Sequence, residues 1–175
     1  MKKLKKVFVL AGVMMLAIAG FAGCGGEVQP DPDENPYTKT IDAAELAEYL
    51  FENITFYDEL NQVDKEIAFE LYGIEPNTAL EGTVYMSTGA TAEEIAVFTV
   101  SGEEAALLVS AAYEARIEDQ KRGFENYVPE EIPKLENAFI VQIDSAVVMI
   151  VCNDVEEAET AVNSYIAAYL TEETE

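Results

Sequence analysis

The chain predicts an α+β fold: a four-stranded, mainly antiparallel sheet built in the order strand-strand-helix twice over. The helices are expected to pack mostly on one face, with two N-terminal helices preceding the sheet. Three observations carry this. Four short β-rich runs occupy residues 83–87, 95–100, 137–143 and 146–151. A helical segment from Glu103 to about Tyr127 separates the two pairs of runs, and a last segment shows Val155, Ala158, Val162, Ile166 and Tyr169 at a 3.6-residue period. Half of the 175 residues are apolar, enough to fill the core such a fold needs.

The ordered part begins at Ile41. Asp42 with Glu45 forms a capping box, Ile41 can staple onto Leu46, and the helix presents Leu46, Tyr49 and Leu50 on one side. Residues 55–61 carry no assignable pattern. A second helix starts at Asp64, shows Ile67, Phe69, Leu71 and Tyr72, and stops at Gly73, with Ile74 as the hydrophobe of a C-cap and Pro76 preventing continuation. The run 95–100 is continuous and β-branched. The runs 137–143 and 146–151 form a hairpin turning at Asp144 and Ser145, and Asp154 caps the last helix. Residues 97–104 and 148–157 resemble each other, an apolar strand leading through a polar turn into an acidic helical turn, which is a weak internal repeat.

Ahead of this domain, residues 1–6 are basic, 7–22 form an uncharged apolar run, and small residues lead into Cys24. The run is short for a membrane span of about 20 residues, and the order is that of an export signal. It is similar to a bacterial lipoprotein signal, which implies cleavage after residue 23 and lipidation of Cys24, although Phe21 stands where that pattern prefers an aliphatic residue. Residues 24–40 then comprise the lipidated Cys and an acidic, Pro/Gly-rich tether, and 41–171 a single domain. The expected location is the extracytoplasmic face of the cell membrane. Lys2, Lys3, Lys5 and Lys6 are the only charges in residues 1–23, so their removal leaves six bases against 34 acids, a net −28. With Cys24 acylated, Cys152 lacks an intrachain partner and is expected to be buried and inert.

Charge and composition exclude several functions. A formal charge of −24 is incompatible with nucleic-acid binding through a broad basic face. The chain holds no His, so it has neither a His-based nucleophile nor the commonest transition-metal ligand. No Ser is followed by Lys three residues later and no Gly-Lys dipeptide occurs, which removes the Ser-Lys and P-loop signatures. The nearest approach to a calcium loop, from Asp31 to Asp42, has Pro36 where Gly is required. No metal, cofactor or catalytic residue is expected.

One constellation stands out. Ala105, Val109, Ala112, Tyr113, Ile117 and Phe124 make an apolar stripe on the long helix, and Arg116 and Gln120 fall inside it. A guanidinium there snorkels to the rim of the sheet, or pairs with one of the chain's own acids and fixes the turn at residues 127–130, or lines a pocket for an anionic or carboxylate-bearing ligand. Arg116, Gln120 and Tyr127 are therefore the candidate ligand-binding residues. Lys121 and Arg122 read as surface charges, with Glu118 and Arg122 an i,i+4 pair.

Residues 71–74, 90–98, 116–120 with Phe124, Tyr127 and Pro129, and 134–137 together resemble domain-of-unknown-function family 4358, lipoproteins of Clostridia-like Gram-positive bacteria. The resemblance covers roughly residues 45–170. It implies export by a lipoprotein signal and one small domain, and supplies no activity, ligand or site. The expected function is thus that of a membrane-anchored, non-enzymatic binding or envelope-assembly domain, its partner a protein or an anionic small ligand. The alternative is a cell-surface hydrolase or transferase without a His-based site.

Overall fold

The computed structural model describes residues 40–172. The expected signal peptide, Cys24 and all but the last residue of the expected tether lie outside the described residues. Five strands form one open antiparallel sheet in the order β1-β2-β3-β5-β4: β1 is Asn61–Gln62, β2 Glu81–Met86, β3 Glu94–Thr99, β4 Phe139–Ile143 and β5 Ala146–Val151. The helices are α1 (Ala43–Asn53), α2 (Lys65–Tyr72), α3 (Glu103–Phe124), α4 (Ile132–Glu136) and α5 (Val155–Glu172), with a 3-10 turn at Pro129–Glu131.

Local chemistry places these elements. Asp42 Oδ1 accepts from the N–H groups of Ala44 and Glu45 at 2.8 and 3.0 Å and starts α1. Gly73, at φ 61°, ends α2, and the Ile74 N–H reaches back to the Phe69 carbonyl at 3.0 Å while Ile74 is buried. Asp144, at φ 46°, occupies the left-handed position of the β4–β5 turn where Gly or Asn would be usual. Asp154 Oδ1 accepts from Glu156 N–H at 3.0 Å at the start of α5.

Three expectations are corrected. The sheet has a fifth strand, because residues 55–61 end in β1, which pairs with β2 through Asn61↔Met86 and Gln62↔Tyr85. The first two helices therefore do not both precede the sheet: β1 lies between them. The helices also cover both faces. Ile95, Val97, Val148 and Ile150 pack against α1 and α5, where Leu46, Leu50, Ala158 and Val162 are buried. Ala96, Phe98, Val147 and Met149 pack on the other side against α2, α3 and α4, with Ala68, Val109, Tyr113 and Leu135. When Val100 is matched to Val151, the link into α5 is one residue longer than the link into α3, and the two helices lie on opposite faces of the sheet.

In α2 the inward residues are Ala68 and Tyr72, while Ile67 is exposed. On α3 they are Ala106, Val109, Tyr113 and Ile117. At its outer end Lys121 pairs with Glu118 at 2.7 Å and Arg122 with Asp119, each at i,i+3, in place of the expected Glu118–Arg122 pair. No described helix is long and apolar enough to cross a membrane.

Candidate functional site

Glu94 opens β3 on the same pleat face as Ala96 and Phe98, and so points toward α2 and α3. Its side chain is fully buried. The Arg116 guanidinium, from α3, donates to it twice, Nε to Oε1 at 3.3 Å and Nη2 to Oε2 at 3.0 Å. Gln120, one turn further along α3, donates its amide to Oε2, and Tyr72, at the end of α2, donates its hydroxyl to Oε1. Four donors from two helices thus converge on one carboxylate. Burial alone would lower the pKa of Arg116; the charge and hydrogen bonds of Glu94 outweigh it and hold the guanidinium above its ordinary value. Burial first, then the neighbouring Glu94 charge, pushes the Tyr72 phenol well above its ordinary range, so it stays a donor.

The preceding residue does a matching job. Glu93, also buried, accepts from the backbone N–H groups of Tyr57 and Asp58 at 2.9–3.1 Å and from Lys134 Nζ at 3.3 Å. Lys134 also pairs with Glu131 at 2.9 Å, and Glu131 accepts from Ala92 N–H at 2.8 Å. Lys134 is only 9% exposed, and its ammonium lies 5.5 Å from the centre of the Tyr57 ring. Glu93 therefore clamps the 55–60 loop and α4 to the β2–β3 connection.

An open pocket of about 380 Å³ lies over these groups, between the β2–β3 loop and the second half of α3. Its floor includes Glu94, Arg116 and Gln120; Phe124 and Tyr127 stand on one side and Ser87 and Thr91 on the other. All three sequence-predicted site residues, Arg116, Gln120 and Tyr127, border this one pocket. Tyr127 is 69% exposed, its ring 6.4 Å from that of Phe124. Arg116 is thus paired with one of the chain's own acids, as one of its alternatives expected, and also borders the pocket.

Sequence reasoning missed the acids at the centre of the site. Glu93 and Glu94 read as part of the loop before β3, and Tyr72 as core. The available signal was position: two consecutive carboxylates run directly into the apolar stretch of residues 95–98, where an acid needs a partner. Lys134 carried no comparable signal, because its burial depends on how α4 docks.

A family model described as a domain of unknown function (DUF4358) matches residues 52–152, more than half of the chain. The chain belongs to the DUF4358 family. The match runs from the end of α1 through β5, narrower than the 45–170 expected, and contains every residue bordering the pocket of this DUF4358 protein. No curated protein and no solved structure matches the chain.

Proposed function

We propose that this DUF4358 protein is a lipid-anchored extracytoplasmic domain that binds a ligand at the pocket over Arg116, Gln120 and Tyr127 and performs no chemistry on it. The observation that carries the binding reading is the locked state of the pocket floor. A general base or nucleophile needs a lone pair open to substrate, whereas the Glu94 carboxylate is enclosed by Tyr72, Arg116 and Gln120. A preformed concave site with fixed polar groups suits recognition. Anchoring is supported by the order of basic, apolar and small residues ending at Cys24, followed by an acidic spacer.

Growth of the expressing cells with an alkyne-bearing fatty acid, followed by membrane fractionation, tests the anchor. The wild-type chain is expected to be labelled and to sediment with membranes, and Cys24→Ala to lose the label. A Cys24→Ala chain that keeps both the label and its membrane association would overturn the anchor.

A further inference from the structure

We infer that the ligand of this pocket is an uncharged, hydroxyl-rich molecule, a neutral saccharide unit. The inference rests on the pocket-binding reading above and deepens it. Its starting point is that the charged groups bordering the pocket are already matched within the chain. Arg116 is held by Glu94, Glu93 by Lys134 and Asp119 by Arg122. Because Glu94 already neutralises Arg116, an anion would find only spare N–H groups there and no unpaired charge, and a cation could claim Glu94 only by displacing the guanidinium. The formal charge of −24 opposes an anion further.

Hydrogen-bonding capacity remains after those pairings. Gln120 gives its amide N–H to Glu94, and its Oε1 is buried without a hydrogen-bond partner, an acceptor awaiting a donor. Arg116 has five N–H groups, spends Nε and one Nη2 proton on Glu94, and keeps 16% of its side chain exposed beside the pocket. Fixed donors and acceptors side by side suit hydroxyls, which both give and take protons. Phe124 and the exposed Tyr127 offer ring faces for the C–H side of a sugar, and the tyrosine hydroxyl supplies a polar tip. The volume of about 380 Å³ lies in the small-ligand range.

Gly123 supplies the means of testing this. It borders the pocket from within α3, and a Cβ built there meets nothing within 4 Å. Leucine at this position is the better helix former and projects into open space, so Gly123→Leu blocks the pocket without disturbing the core. The full chain, purified in detergent, is titrated calorimetrically with maltotriose, cellotriose and tri-N-acetylchitotriose, and in parallel with citrate, inorganic phosphate and spermidine. At least one trisaccharide is expected to bind, with affinity changing less than about twofold between about 50 and 500 mM salt. Tyr127→Ala should weaken it at least about tenfold and Gly123→Leu abolish it, with helix content unchanged by circular dichroism. Binding of citrate, phosphate or spermidine alone, blocked by Gly123→Leu, would overturn the saccharide assignment and leave the pocket reading standing. Binding unaffected by Gly123→Leu, or no binding by any of the six probes, would overturn both.

Discussion

The Glu94 carboxylate, wholly shielded from solvent, receives two hydrogen bonds from the guanidinium of Arg116 at 3.3 and 3.0 Å. A buried pair of this kind contributes little beyond an apolar equivalent, but breaking it on one side strands a charge. Arg116→Met is therefore expected to cost about 3–5 kcal/mol, because Glu94 keeps only the neutral donors Tyr72 and Gln120. Glu94→Gln with Arg116→Met should be less destabilised than the sum of the singles, with a coupling of roughly 0.5–3 kcal/mol in urea denaturation. Strict additivity would show that the two residues do not act as a pair.

Gly82 stands opposite Phe98 in the β2–β3 register. A Cβ at Gly82 would overlap the Phe98 ring and come within 3.0 Å of Phe69 Cε2. The two rings already meet edge to face at 5.2 Å. Gly82→Ala is predicted to destabilise by about 1–3 kcal/mol through overpacking, against the usual gain from replacing glycine in a strand. Thermal melts of the single variant and of Gly82→Ala with Phe98→Leu separate the causes, since the second change should return part of the loss.

Lys134 is the cation between Glu93 and Glu131. Lys134→Met leaves two buried carboxylates facing each other without it, at an expected cost of about 3–5 kcal/mol. The loss should appear first in the 55–60 loop, whose Tyr57 and Asp58 amides hang on Glu93. Hydrogen exchange at those two amides should accelerate more than in α5, and equal acceleration in both would count against the clamp.

Burial, partly offset by a backbone hydrogen bond at Asp154, pushes the Cys152 thiol up from 9.0 to about 11. A thiol whose folded pKa is raised contributes its full stability below the unfolded pKa and loses it as pH climbs toward the folded value. Tyr72 and Tyr113, both raised mainly by burial, act in the same direction at higher pH. Stability should therefore be level up to about pH 9 and fall above it. Cys152→Ala should flatten the first part of that fall. Maleimide labelling at pH 7 should be slow in the folded chain and fast in urea; rapid labelling of the folded chain would contradict a sealed thiol.

Much of the architecture was legible because it is local. The Asp42 and Asp154 caps, the Gly73 stop and the paired strand runs each need only a few neighbouring residues. The misread feature was the number of layers, and the clue lay in residues 95–100 and 146–151. A strand covered on one face alternates, while these two are apolar at every position but Thr99, so both faces need cover. β1 escaped notice because two exposed residues, Asn61 and Gln62, carry no period. At the pocket, Arg116 and Gln120 were legible as polar residues within an apolar stripe. Their partner Glu94 lies 22 residues before Arg116 and 26 before Gln120, at the start of the strand that leads into α3, and no helical wheel reaches that far.

Glu93 and Glu94 also bear on the order in which the chain is made. Each draws partners from both sides of itself in sequence: Tyr57 and Tyr72 come before them, Arg116 and Lys134 after. Synthesis runs from the N-terminus, so β3 emerges carrying two acids whose counter-cations have yet to be translated. An early collapse of residues 40–100 would bury both acids with neutral donors alone, from Tyr57, Asp58 and Tyr72, and without Arg116 or Lys134, a cost that favours an open partial domain. Stable closure is therefore expected only once residue 134 has been made.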